Sequence, residues 1–192
     1  MKAVIFDLNG VFILSPKLSE RFEKNFGVSS DIFLPALKKV MSQVRLPNAP
    51  SLYSCWAPYF KEWGLTLDEK SLERYWFNAE TENVEMTELA KELKARGVRL
   101  FILSNNLRER GNFYDIHFPF LNELFDKCYF SWKTGFIKPD VRAYKLILDE
   151  NGLDAIDCVY FDDSKENVEV AASLGIQSYL YESPSQVKDV LV

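Results

Sequence analysis

The sequence is poor in residues that build zinc sites or disulfide frameworks. It has one histidine, His117, and three cysteines, Cys55, Cys128 and Cys158, which are far apart and form no CxxC pair. A lone histidine cannot assemble a zinc site, and the cysteines read as buried free thiols in a reducing compartment. No apolar run reaches the ~18 to 20 residues that a membrane helix needs, and the first residues lead directly into strand-like sequence rather than a secretory leader. The expected location is cytoplasmic, with no membrane partner. Positive charge is not in excess either: the net charge is −5 and the pI about 5.1. Without a broad cationic surface, nonspecific binding to nucleic acid is not expected. Internal repeats, low-complexity tracts and long linkers are also missing.

What is present is apolar and aromatic. The 192 residues are 47% hydrophobic and 15% aromatic, enough for one substantial core and a small second one. Strand candidates lie at 3–6 (AVIF), 98–103 (VRLFIL), 127–130 (KCYF), 158–161 (CVYF) and 177–181 (QSYLY), most of them short apolar runs without clean alternation, as expected of strands buried on both sheet faces. Helical spacing lies between them. Met86, Leu89, Ala90 and Leu93 share a face ahead of Gly97; Pro139 suits a helix's first turn, with Tyr144, Ile147 and Leu148 following before Gly152. Val168, Ala171 and Ala172 mark a third helix, ended by Gly175. Strand and helix alternate from residue 84 onward, which predicts a doubly wound, mainly parallel Rossmann-like α/β sheet.

Residues 17 to about 80 differ, with four helical stripes and no convincing strand. They are Leu18/Phe22/Phe26, Phe33/Leu37/Val40/Val44, Leu52/Trp56/Phe60/Trp63 and Leu72/Tyr75/Trp76, with Gly27 and Gly64 as helix stops and Pro58 as a kink or split. The expected organisation is an α/β core domain, 1–15 and 82–192, with a small all-helical cap, 16–81, inserted after strand one. Most of the cap aromatics should be packing between helices.

The stretch AVIFDLNGVFIL, residues 3–14, has two readings. Asn9-Gly10 between β-rich runs is a hairpin signal. The alternative places Asp7 at the carboxyl end of a buried strand, the edge where open α/β sheets bind ligands. Other polar residues recur at that edge: Ser104 and Asn105 after LFIL, Lys138 before a helix, and Asp162 with Asp163 after VYF. Singly, each has an ordinary account as turn residue, solvated lysine or helix cap. A hairpin does not explain their joint recurrence, although GVFIL can still form a short flap.

Their types suit phosphoryl transfer. A carboxylate can attack phosphorus and hold the group as an aspartyl phosphate. Asp7, Asp162 and Asp163 offer hard oxygens to Mg²⁺, Lys138 offsets clustered negative charge, and Ser104 with nearby backbone N–H groups can bind phosphate oxygens.

VIFDLNGV, LFILSNN, GFIKPD and VYFDDSKENVEVAASLG together resemble the four motifs of the haloacid dehalogenase (HAD) superfamily, in particular subfamily I phosphatases with a helical cap after strand one. They are also similar to the branch holding sugar-phosphate phosphatases and the amino-terminal phosphatase domain of soluble epoxide hydrolases. The resemblance implies Asp7 as nucleophile, Asp163 as a direct Mg²⁺ ligand, Asp162 as a direct or water-mediated one, and the Asn9 carbonyl completing the protein's share. It implies Ser104 as a phosphate binder and Lys138 as the residue that orients the nucleophile; Asn105 and Arg108 are further candidates for substrate binding. Removing Lys138 is expected to weaken phosphate binding and to relieve a strained charge cluster.

Asn9 departs from the pattern. The family usually has Asp there, protonating the leaving group and then activating water, which an amide cannot do. Slow or altered natural turnover, vestigial activity and an introduced Asp-to-Asn change all fit. The expected function is a Mg²⁺-dependent phosphomonoesterase, monomeric or homodimeric, acting on a small phosphorylated metabolite, with a sugar phosphate suggested by resemblance. The alternatives are a catalytically impaired phospholigand-binding protein and a 2-haloacid dehalogenase. Arg45, Tyr53, Trp56 and Arg108 are candidate cap and rim specificity residues.

Overall fold

The computed structural model describes residues 1–191. Five parallel strands, β1 (Ala3–Phe6), β4 (Arg99–Ser104), β5 (Lys127–Phe130), β6 (Cys158–Asp162) and β7 (Gln177–Leu180), form one sheet in the order β5-β4-β1-β6-β7. Each expected strand is present within one residue at either end. Because side chains alternate across a strand, β1 feeds two cores at once. Val4 and Phe6 face a cluster with Met86, Leu93, Tyr114 and Val187, while Ala3 and Ile5 face Tyr144, Ile147 and Ala171. Burial on both faces explains the unbroken apolar runs.

The first face is covered by α5 (Val84–Ala95), α6 (Arg108–His117), α7 (Phe120–Leu124) and α11 (Pro184–Leu191), the second by α9 (Val141–Asn151) and α10 (Lys165–Ser173). A short turn of helix, α8 (Ser131–Thr134), follows β5. The sequence pattern missed α6, α7, α8 and α11. In α6 only Gly111 and Tyr114 are buried, too few to make an apolar stripe. Pro139 is not in the first turn of α9; Asp140 is the N-cap, its carboxylate accepting from the Arg142 N–H, so the proline lies outside the helix. Gly152 ends α9 with φ 59°, as expected.

The insertion contains α1 (Leu18–Phe26), α2 (Ser30–Val44), α3 (Leu52–Glu62) and α4 (Glu69–Phe77), around their own apolar cluster. Phe33 stacks on Trp56 at 5.2 Å and Phe22 lies 4.5 Å from Phe33, ring centroid to centroid. Trp56 is fully buried, which makes it packing rather than a specificity contact. Pro58 sits inside α3 without splitting it.

β1 has no hairpin partner; it pairs with β4 and β6. After Asp7 the chain makes a tight turn, with Phe12 and Ile13 N–H groups donating to Leu8 O and Gly10 N–H donating to Ile13 O at 2.8 Å. It then forms β2 (Ile13–Leu14), antiparallel to β3 (Thr81–Glu82). This two-stranded flap carries the chain out to the helical insertion and back. Of the three free thiols, only Cys158 is fully buried; Cys55 and Cys128 are partly covered. No helix among the described residues is long and apolar enough to cross a membrane.

Candidate active site

The chain leaves β1 for β4 on one side and returns through β6 on the other, so the sheet reverses around β1. That switch point brings Asp7, Ser104 and Asp162 to the ends of adjacent strands. Lys138 arrives from the segment between α8 and α9. Its ammonium donates to Asp7 Oδ1 at 2.7 Å and to Asp162 Oδ2 at 2.6 Å. All three are buried.

Asp162 is an anchored carboxylate. It accepts from Lys138, the Tyr160 hydroxyl, the Ser164 N–H at 2.8 Å and the Asn167 amide at 3.0 and 3.1 Å. Asp163 is exposed. One ligand atom from each of Asp7, Asp162 and Asp163 lies within 4.8 Å of the others. Gly10 makes that approach possible: with φ at +91°, a Cβ there would stand 2.6 Å from Asp163 Oδ2. Hard oxygens at this spacing beside an exposed carboxylate fit a hydrated Mg²⁺. The Asn9 carbonyl accepts no hydrogen bond from the described residues and can join that set.

Burial pushes the Asp7 carboxyl up to about 6, against the pull of Lys138. Burial also works against the Lys138 charge, but Asp7 and Asp162 outweigh it and hold its pKa above the ordinary value. Partial shielding from water, reinforced by the Asp162 charge, raises Asp163.

Asn9 is clamped. Its amide nitrogen donates to Ser104 Oγ at 3.3 Å, and the Tyr114 hydroxyl donates to its Oδ1 at 2.8 Å. Burial keeps Tyr114 protonated far past neutral pH. Behind it lies the buried Arg110–Glu80 ion pair, with Ser15 Oγ donating to Glu80 at 3.1 Å. Asn105 is committed to the backbone: its amide donates to Lys138 O at 2.8 Å and its Oδ1 accepts from Lys138 N–H at 2.7 Å. Arg108 is 48% exposed, lies 3.7 Å from the Glu109 carboxylate and lines a cleft with Trp132 and Lys133. Tyr53 is half-buried against Phe60. Arg45, at the C-terminal end of α2, is half-buried; burial and then the charge of Arg110 lower its pKa, against the pull of Asp7.

Residues 1–175 match the family described as haloacid dehalogenase-like hydrolase. The chain belongs to that family. A phosphatase of Mycobacterium tuberculosis (strain CDC 1551 / Oshkosh) is 31% identical over 102 residues, 53% of this chain and 47% of the relative. Bifunctional epoxide hydrolase 2 of Sus scrofa is 28% identical over 208 residues, 94% of this chain and 36% of the relative. The chain thus spans about half or less of the length of these curated relatives. A HAD family enzyme from Bacteroides thetaiotaomicron superposes with a TM-score of 0.85 at 21% identity, over 100% of this chain and 98% of that one. Its wild-type complex with magnesium and inorganic phosphate gives 0.78 at 21% identity, over 97% and 98%. At that identity the likeness shows the fold.

In this haloacid dehalogenase-like hydrolase the supporting residues were the least legible in sequence. Asn167 follows Asp162 by five residues and Tyr160 precedes it by two, so only the strand-to-helix turn between them hints at a shared contact. Tyr114 gave no signal at all. The structure also reverses the expectation for Lys138. It is the cation shared by two buried carboxylates, so its loss exposes repulsion rather than relieving strain. In metal-free buffer at pH 7, Lys138→Met is expected to lose about 3–5 kcal/mol in urea unfolding. The deficit should shrink as the pH falls toward 6, because without Lys138 the Asp7 carboxyl takes up its proton at a higher pH than in the parent.

Proposed function

We propose that this hydrolase is a Mg²⁺-dependent phosphomonoesterase that passes the phosphoryl group of a small metabolite to Asp7 and then to water. The observation that carries the reading is Asp7 itself: a buried carboxylate at the end of the central strand, aligned by Lys138 and facing Asp163 across Gly10. With Oδ1 held by Lys138, the second oxygen can attack phosphorus while the phosphorus bond to the leaving oxygen breaks. Ser104 Oγ and the N–H groups beyond β4 would bind the remaining phosphate oxygens. Asp162 keeps Lys138 in place through its own bonds to Tyr160 and Asn167, and so fixes the nucleophile's orientation.

Asp7, Asp163 and the Asn9 carbonyl would hold Mg²⁺, with Asp162 direct or through water. The bound ion would neutralise charge shared by the carboxylates and the phosphate. The same negative cluster speaks against a haloacid dehalogenase. Without a cation, Asp162 and Asp163 repel the carboxylate of a haloacid approaching Asp7.

Phosphate release from a panel of phosphomonoesters, with Mg²⁺ and with EDTA, tests the proposal. Activity is expected only with the metal. At a hundredfold excess over its Kd, Mg²⁺ should also stabilise the fold by about 2.7 kcal/mol, a Tm rise of roughly 5–10 °C for a chain of this size. Full activity in metal-free buffer would overturn the assignment.

A further inference from the structure

A groove of about 510 Å³ lies along α2 and reaches the core segment just before Lys138. Leu34, Leu37 and Met41 recur at helical spacing and form its apolar wall, and Ile137 closes it from the core. Its charged residues are Lys38 and Arg45, both cations, and no carboxylate lines it. This balance is opposite in sign to the chain's net charge of −5. Ser42 supplies its one hydroxyl.

Arg45, the C-cap residue of α2, brings a guanidinium to the groove. Its Nε is buried with no hydrogen-bond partner, and a buried N–H left unpaired costs free energy until an acceptor arrives. Burial, then the charge of Arg110, depress its pKa, while Asp7 acts in the opposite direction; Arg45 therefore sits within the field of the reaction centre. Arg110 is already engaged by Glu80, which leaves Arg45 as the cation with donor capacity to spare.

We propose that this groove holds the leaving group, so that the preferred substrates are phosphomonoesters of an apolar alcohol, an alkyl or aryl chain, with Arg45 donating to the phosphate end. The proposal rests on the phosphomonoesterase reading and narrows it. A sugar would bring several hydroxyls to a wall that offers partners only at Ser42, Lys38 and Arg45, and each unmatched hydroxyl would lose hydrogen bonds to water. An apolar chain loses none and gains from leaving water.

The test is kcat/KM for n-alkyl phosphates from methyl to decyl, kept below their critical micelle concentrations, beside a hexose 6-phosphate. Binding of the matching n-alkylphosphonates, which are not hydrolysed, is followed by calorimetry. We expect kcat/KM and phosphonate affinity to rise about three- to fourfold per buried methylene over part of the series and then level. The hexose phosphate should fall near methyl phosphate. Leu37→Glu should flatten the chain-length slope, whereas Arg45→Gln should lower kcat/KM across the series and keep the slope. Phosphate release with a flat slope, or a preference for the hexose phosphate, overturns the groove assignment alone. Chain-length-dependent phosphonate binding without phosphate release supports the groove and overturns the phosphatase reading. Neither binding nor release overturns both.

Discussion

Asp7→Asn is expected to lower turnover by at least ~10⁴-fold, because no other carboxylate can take over its attack on phosphorus. Asp162 is saturated by Lys138, Tyr160, Ser164 and Asn167, and Asp163 approaches from the Gly10 side, where the metal would lie. The variant should nevertheless fold. Burial raises the Asp7 carboxyl from 3.8 to about 6, so between those pH values the folded protein holds a proton that the unfolded chain has released. In metal-free buffer the stability contributed by this group is fully present below pH 4 and lost as the pH rises to about 6. Two pH units correspond to a loss on the order of 2–3 kcal/mol. Asp7→Asn removes that slope, and at pH 7 it should be as stable as the parent or more so, the pattern of a reactive group held at a cost to the fold. Urea melts at pH 4, 5, 6 and 7 beside phosphate release measure both halves. A variant that keeps parental activity removes Asp7 as nucleophile; one that loses activity and melts early has simply unfolded.

The second large effect is a gain. Asn9→Asp should speed steady-state phosphate release by about 10²- to 10⁴-fold, the usual contribution of a positioned acid-base group. The structure prepares the site for that carboxylate. Tyr114 stays protonated and can keep donating to one oxygen, and the Ser104 hydroxyl can turn to donate to the other. No atom is added that must find space. In the parent protein an activated aryl phosphate should release its phenol in a burst and then slow, since Asp7 can be phosphorylated without a proton donor while water attack on the acyl phosphate lacks its base. If Asn9→Asp is no faster on any substrate, the amide does not limit turnover, and a phospholigand-binding role gains weight.

The strands and their terminal polar residues were legible in the sequence for one reason: β1, β4 and β6 are covered on both faces, so each carries an unbroken apolar run, and the polar residues that follow the run fall at the site. The insertion was legible because α1 to α4 each carry an apolar stripe. Helices whose contacts are few or polar left no such mark. α6 reads RERGNFYDIH, yet it delivers Tyr114 to Asn9 and Arg110 to Glu80. The bland reading of Asn9-Gly10 failed because a turn signal is local, while the choice of strand partner depends on which neighbours β1 can bury against. Asn105 shows the same limit from another side. Its residue type suggested a ligand contact, but both ends of its amide are taken up by the Lys138 backbone.

The Asn9–Gly10 turn also governs how the protein ages. Asn-Gly is a chemically fragile pair, because a glycine nitrogen can close on the asparagine amide carbon, expel ammonia and leave a carboxylate after hydrolysis. Here that nitrogen's N–H is bonded to Ile13 O, and the amide is pinned at both ends by Ser104 and Tyr114. Ring closure would require breaking these contacts together, so the folded chain shields itself from the spontaneous change that would hand it an acid-base group. Unfolded or proteolysed chains have no such shield. Slow conversion at Asn9 is therefore a record of time spent unfolded, readable by peptide mapping.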